Sequence, residues 1–221
     1  MSALPDPGST ARTRLHRVPE KAITDREAAY AILDSGLVAH VGIAVEGQPY
    51  VVPVAYARIG DEVVFHGSSA SRLFRLAADG VPLCLTVTLL DGLVLARSLF
   101  ESSMHYRTVM ALGCCRLLEG DEEFDSLMAL SERLMPGRPT EARAPLPQEL
   151  KATITVALLL DEISVKVGAR PPEDVPEDLV DPVYSRIWAG SVPIVESFGE
   201  PVPDEMADGV PVPGYVREWR R

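Results

Sequence analysis

No stretch of this chain is long and apolar enough to cross a bilayer. The most apolar runs, residues 81–96 and 154–160, are short or broken by Pro82, Asp91 and Gly92, whereas a spanning helix needs about 20 consecutive apolar residues. The opening MSALPDPGSTARTRLH lacks the apolar centre of a secretory signal, and residues 1–13 are expected to be a flexible tail. Cysteine is scarce: Cys84, Cys114 and Cys115 are the only three, and none stands at metal-ligand spacing. An odd count without a secretory signal argues for reduced thiols and a cytoplasmic location. On a strand Cys114 and Cys115 would face opposite sides, which argues against a joint metal site and would strain a bond between them. Positive charge is also short, with 21 Lys and Arg against 32 Asp and Glu for a net charge of −11. The aromatics, 6% of residues, do not interleave with basic ones, so the chain offers a nucleic acid neither a cationic stripe nor a stacking surface. Missing too are G-x-G-x-x-G and G-x-x-x-x-G-K-[ST], zinc-ligand spacing and a local Ser-His-Asp motif.

What the chain does have is His66-Gly67-Ser68-Ser69-Ala70-Ser71-Arg72, read with Arg97 and with His105-Tyr106-Arg107-Thr108. Hydroxyls and guanidiniums gathered at strand ends suit a phosphate, and arginine offers two oxygens a planar fork that lysine cannot copy. An apolar run follows Arg72, so a helix starting near Ser69 would turn its free N–H groups towards the same anion. Plainer readings stand beside this one. Ser68 and Ser71 could be turn and capping residues, His66 a strand-end histidine on a backbone carbonyl, and Arg97 and Arg107 a solvated barrel face. Arg72 separates the readings, because a cation on the first turn of a helix needs an anion nearby.

Periodicity and turn signals give the architecture. Thr24-Asp25-Arg26-Glu27 caps a helix over about 25–35, closed by Gly36. Residues 37–45 and 50–58 read as a hairpin about Glu46-Gly47-Gln48-Pro49, and 61–65 as a third strand. A helix over 69–78 stops at Gly80, strands follow at 82–89, 93–98 and 106–118, an acidic-first helix starts near Asp121, and 154–167 is the last long β run. Strands joined by tight turns predict a mainly β, α+β protein with an antiparallel sheet curled into a small barrel. The expected division is a tail over 1–13, a barrel domain over 14–167 and a proline- and acid-rich extension over 168–221. That extension cannot build a core of its own. It should wrap the barrel or a partner, anchored at Trp188-Ala189-Gly190.

The ordered set Thr24-Asp25-Arg26, Val52-Pro53-Val54, Phe65-His66-Gly67, Ser71-Arg72, Leu93 to Ser98, Tyr106-Arg107-Thr108-Val109 with Gly113, and Trp188-Ala189-Gly190 resembles the pyridoxamine 5′-phosphate oxidase-related flavoproteins. The nearest branch is that of flavin-nucleotide-binding and nitroimidazole-resistance-like proteins. The resemblance implies a homodimeric split β-barrel with FMN at the subunit interface. It implies that Ser71 and Arg72, with Ser68, grip the FMN phosphate, and that Val52, Pro53 and Val54 run beside the flavin ring. Phe65, His66 and Gly67 would meet the ribityl and phosphate side. Tyr106, Arg107 and Thr108 would approach from the neighbouring wall, and Trp188 would reach the other subunit's cofactor. His105 and Thr108 depart from the usual Asn and Ser.

The resemblance thus points to an FMN-dependent oxidoreductase acting on a small molecule, with His66, His105 and Tyr106 as the groups that orient or protonate substrate. A true pyridoxamine phosphate oxidase would need a second basic cluster that the sequence does not offer. The alternative is a non-catalytic binder of flavin, or of haem with His66 or His105 as axial ligand. The deazaflavin F420 would favour a more basic groove than this chain has.

Overall fold

The computed structural model describes residues 4–207 and 209–220. Helix α1 (Arg26–Ser35) starts at Asp25, whose carboxylate accepts the Glu27 N–H at 3.2 Å, and it buries Ala29, Tyr30, Ile32 and Leu33. It ends at Gly36, where an added Cβ would come within 2.6 Å of the Tyr56 hydroxyl. Strands β1 (Val38–Val45) and β2 (Gln48–Ile59) form the expected hairpin. Its two turn residues, Glu46 and Gly47, have φ of 51° and 82°, the paired positive values that match the twist of a two-residue hairpin. Strand β3 (Glu62–Ser68) leads through a turn, closed by Ser71 N–H to Ser68 C=O at 2.8 Å, into α2 (Arg72–Ala78). The helix therefore begins three residues later than the sequence suggests, because Ser68 to Ala70 are spent on the turn.

Next come β4 (Leu83–Leu95), β5 (Ser103–Gly113), β6 (Cys115–Leu117), α3 (Gly120–Leu134), α4 (Pro147–Lys151), β7 (Thr153–Leu159), β8 (Glu162–Gly168), α5 (Pro176–Val180), β9 (Gly190–Pro193) and α6 (Gly214–Arg217). The two strands expected over 82–98 are one, with a register shift at Asp91 taking up the polar interruption. The single run expected over 154–167 is two, turned at Leu160 and Asp161. The run over 106–118 breaks at Cys114, which is exposed while Cys115 is buried.

All pairings are antiparallel, in the order β6-β7-β3-β2-β1-β4-β5-β8, with β9 added to β4. The concave face holds one core of Val41, Val63, Phe65, Leu85, Val109, Val156, Leu158, Ile163 and Val165, closed by α1 and α2. The expected split barrel is thus the fold. Helix α3 lies on the opposite side of β3, where Val64, Leu118 and Ala157 form a smaller cluster. Residues of the C-terminal extension meet the rest of the chain at several points. Trp188 is 63% exposed, with its ring resting on Gly190. Firmer ties come from β9, from Asp174 accepting both the Arg97 N–H and its guanidinium at 2.6 Å, and from Trp219 Nε1–H donating to Pro136 C=O at 3.0 Å.

Candidate functional sites on the two faces of strand β3

Side chains alternate across a strand, and β3 uses both of its faces. Phe65 is fully buried in the core, 5.9 Å ring to ring from Phe74 of α2. Gly67 faces the same way, and a Cβ there would stand 2.1 Å from the Phe74 ring. Both residues therefore seat α2; neither has a side chain to offer a ligand. Val54, 7% exposed, is core as well. The helix seated in this way presents Arg72 at the barrel rim. The guanidinium of Arg72 lies 4.0 Å from the centroid of the Tyr50 ring and is ion-paired to no carboxylate among the described residues. Beside it Ser71 is the helix N-cap residue, but its hydroxyl makes no cap bond, while the Ser68 hydroxyl accepts the Ala70 N–H at 3.2 Å.

Strand β2 next to this pair is open in two senses. From Gln48 to Ala55 it is paired to β1, and β3 joins its other edge only from Tyr56 onward. The backbone of Val52 and Pro53 thus lies on a half-paired stretch. Val51 is 66% exposed and Val52 37%, leaving apolar surface beside a guanidinium and a hydroxyl.

The residues expected to approach from the neighbouring wall lie elsewhere in the chain. Strand β5 is separated from β2 by β1 and β4, three strand spacings or about 14 Å along the sheet. Arg107 is not free for a phosphate: its fork is closed on Asp91 at 2.9 and 2.7 Å, which also raises its pKa above the ordinary arginine value. Arg97 is likewise taken by Asp174. The Thr108 hydroxyl donates to Val87 C=O at 2.9 Å. Tyr106 packs against Gly168, and His105 Nε2 lies 2.8 Å from Arg170 C=O.

His66 is separated from all of these. It points to the outer face of β3, into a cavity of about 470 Å³ lined by Leu127 and Ser131 of α3, Arg143 and Pro145 of the following loop, and Glu149 and Leu150 of α4. Its Nδ1 is buried with no hydrogen-bond partner among the described residues. The cross-strand neighbour Thr155 gives it none, because that hydroxyl donates to Glu123 at 3.1 Å. Burial lowers the pKa of His66, so the ring is neutral at neutral pH and one nitrogen carries a free lone pair. A buried imidazole nitrogen without a partner is an exception that calls for an explanation, and His66 shares its cavity with apolar Leu127, Pro145 and Leu150 and with charged Arg143 and Glu149. The sequence pointed to His66 but not to its surroundings; Arg143 and Pro145 lie in a connector without periodicity, Glu149 lies on the five-residue α4, and none left a signal.

The half-open antiparallel barrel, with an arginine that meets no carboxylate at its rim, defines the class: a split-barrel protein. The match to the pyridoxamine 5′-phosphate oxidase family covers residues 25–167, and the chain belongs to that family. Among solved structures it is similar to a Mycobacterium smegmatis protein described as binding FAD and haem, at 38% identity over 89% of this chain and 96% of that one, with a TM-score of 0.85. It is also similar to the flavocytochrome Anf3 of Azotobacter vinelandii, at 37% identity over 98% and 99% of the two chains, TM-score 0.88. A candidate 5-nitroimidazole antibiotic resistance protein of Bacteroides thetaiotaomicron, 20% identical over 66% and 86%, TM-score 0.56, shares the fold. Comparison with curated proteins finds no match.

Proposed function

We propose that this chain binds a flavin nucleotide at the β2–α2 rim and acts as a redox protein on a small-molecule substrate. The observation that carries this reading is the uncommitted Arg72. In a chain of net charge −11 it has no carboxylate among the described residues, while Arg97 and Arg107 are each closed on an aspartate. A phosphate supplies the missing counter-charge, Arg72 meeting two of its oxygens and the Ser71 hydroxyl donating to a third. The half-paired backbone of Val52 and Pro53 supplies hydrogen-bonding groups for a ring edge, and Val51 supplies apolar surface for the ring. A second copy of the chain would bring Tyr106 and His105 from its β5 to the far side of the ring, bridging what one protomer keeps three strands apart. Bound flavin supplies hydride or electron transfer; the protein supplies grip, orientation and, from Tyr106 or His105, a proton donor. FMN is the nucleotide expected from the resemblance. FAD, named for the mycobacterial relative, carries its phosphate at the same ribityl oxygen but as half of a diphosphate, which leaves two free oxygens for the Arg72 fork. The mass of the nucleotide released on heat denaturation of purified protein decides between them. Arg72→Ala should weaken flavin retention about tenfold or more, whereas Arg107→Ala should leave the flavin-to-protein ratio unchanged. Unchanged flavin content in Arg72→Ala would remove this site.

A second cofactor is favoured by a separate observation, the orphaned Nδ1 of His66. The apolar side chains of Leu127, Pro145 and Leu150 in the cavity lining and the neutral imidazole fit a haem with His66 as its axial ligand, and two relatives of similar length are described as a FAD and haem binding protein and a flavocytochrome. His105, the other histidine the sequence offers, already holds Arg170 C=O. A Soret band that His66→Ala shifts or abolishes supports this reading, and one that His66→Ala leaves intact refutes it.

A further inference from the structure

Resting on the flavin reading of the β2–α2 rim, we infer that Tyr50 is the positioning residue of that site, holding the Arg72 guanidinium by its face and leaving its N–H edge for the phosphate. The guanidinium carbon stands 4.0 Å from the centroid of the Tyr50 ring, and the Arg72 side chain makes no hydrogen bond or ion pair among the described residues. Arg58 shows the contrast. Its guanidinium also lies over a ring, 4.5 Å from the Tyr30 centroid, yet its donors are closed on Asp34 at 2.9 and 2.5 Å and on Gly60 C=O at 2.8 Å. A carboxylate fixes an arginine by consuming its fork, as Asp91 does with Arg107. An aromatic face attracts the same charge without taking an in-plane donor. Tyr50 is itself held in place: it stands opposite Ile43 in the β1–β2 ladder, and Ile43 is 5% exposed. The Tyr50 hydroxyl has no hydrogen-bond partner among the described residues, so the ring alone carries the contact. Face and edge are separate surfaces of one planar group, so the ring contact persists when a phosphate takes the fork. An arginine already held on the ring loses less rotamer freedom as the phosphate arrives, and binding is tighter by that difference.

The test is a titration of the flavin-free full chain with FMN and with riboflavin, which lacks the phosphate, followed by flavin fluorescence. The wild type should bind FMN about tenfold or more tightly than riboflavin. Tyr50→Leu should lower the affinity for FMN about fivefold and leave that for riboflavin unchanged, so that riboflavin binding also reports an intact fold. Tyr50→Phe keeps the ring and should keep the full preference for FMN. In an Arg72→Ala background, where the preference is already lost, Tyr50→Leu should change nothing further. A Tyr50→Leu protein that binds both flavins more weakly by the same factor would show that the ring packs on the flavin or on the barrel, and one that binds both as the wild type does would show that Arg72 needs no support. Either result, or loss of the preference in Tyr50→Phe, overturns the inference while the flavin site stands. A wild type that fails to bind FMN, or binds it no better than riboflavin, overturns the reading of the rim and this inference with it.

Discussion

Substituting Gly67 by alanine separates two accounts of why a glycine ends β3. The resemblance has it meet a cofactor; the structure has it make room for a ring. An alanine Cβ would lie 2.1, 2.5 and 2.6 Å from three carbons of Phe74, under any contact a real methyl shows. Phe74 is 6% exposed and packed on Phe65, so it has nowhere to turn without moving α2. Forcing a methyl into a filled core costs about 1–3 kcal/mol and occasionally more. Three sub-van der Waals contacts to a ring in a rigid setting put this site at the top of that range, about 3 kcal/mol. In a chain of 221 residues that lowers the melting temperature by about 6–12 °C. Phe74→Ala alone should cost about 3–5 kcal/mol through the cavity it leaves. The double variant should be less damaged than the sum, because the new methyl sits in the vacated space, and the shortfall measures the coupling. Chemical denaturation of the four proteins gives the cycle. A Gly67→Ala protein as stable as the wild type, or strictly additive effects, would refute the packing account.

Two further outcomes follow from perturbed titrations. Burial lowers the folded pKa of His66 below its ordinary value near 6.5, so in haem-free protein the unfolded state takes up the proton first: stability is full above about pH 6.5 and falls as pH drops towards the folded pKa. The urea midpoint of His66→Gln should lack this decline below about pH 6.5, and a variant that keeps it would show that another group is responsible. The Cys115 thiol is pushed up to about 12 by burial and by Cys114, which leaves almost no thiolate at pH 8. Alkylation of native protein, mapped by peptide mass, should mark Cys114 well before Cys115; equal labelling would contradict the packing.

The fold was legible because its signals are local. Asp25 and Gly36 bracket α1, Glu46-Gly47 turns the first hairpin, and alternation marks β1 to β3. Element breaks inside apolar runs were not legible. Asp91 reads as a strand end, yet its register shift lets β4 continue, and Leu160-Asp161 reads as mid-strand, yet turns the chain. Both were decided by partners distant in sequence, β5 and β9 for Asp91 and β3 for the β7 turn. At the candidate site the residue types were readable and their commitments were not. Arg72, Arg97 and Arg107 look alike in sequence; only the positions of Asp174 and Asp91 tell which guanidiniums are already satisfied.

The same limit explains His66. In the sequence it is one residue of a run, between Phe65 and Gly67 and four short of Ala70, and it groups naturally with Ser71 and Arg72. Period-two alternation on β3 divides that run: Phe65 and Gly67 turn inward to seat α2, and His66 turns outward beneath α3. One strand thus serves both proposed sites, and they share no side chain. A perturbation through the inner face should therefore stay on its side. Gly67→Ala displaces α2 and with it Ser71 and Arg72, so flavin retention should fall. The outer face keeps its pairing of His66 with Thr155 and of Thr155 with Glu123, so the porphyrin spectrum should not move. Loss of both together would mean that β3 itself had shifted and that the two faces are not independent.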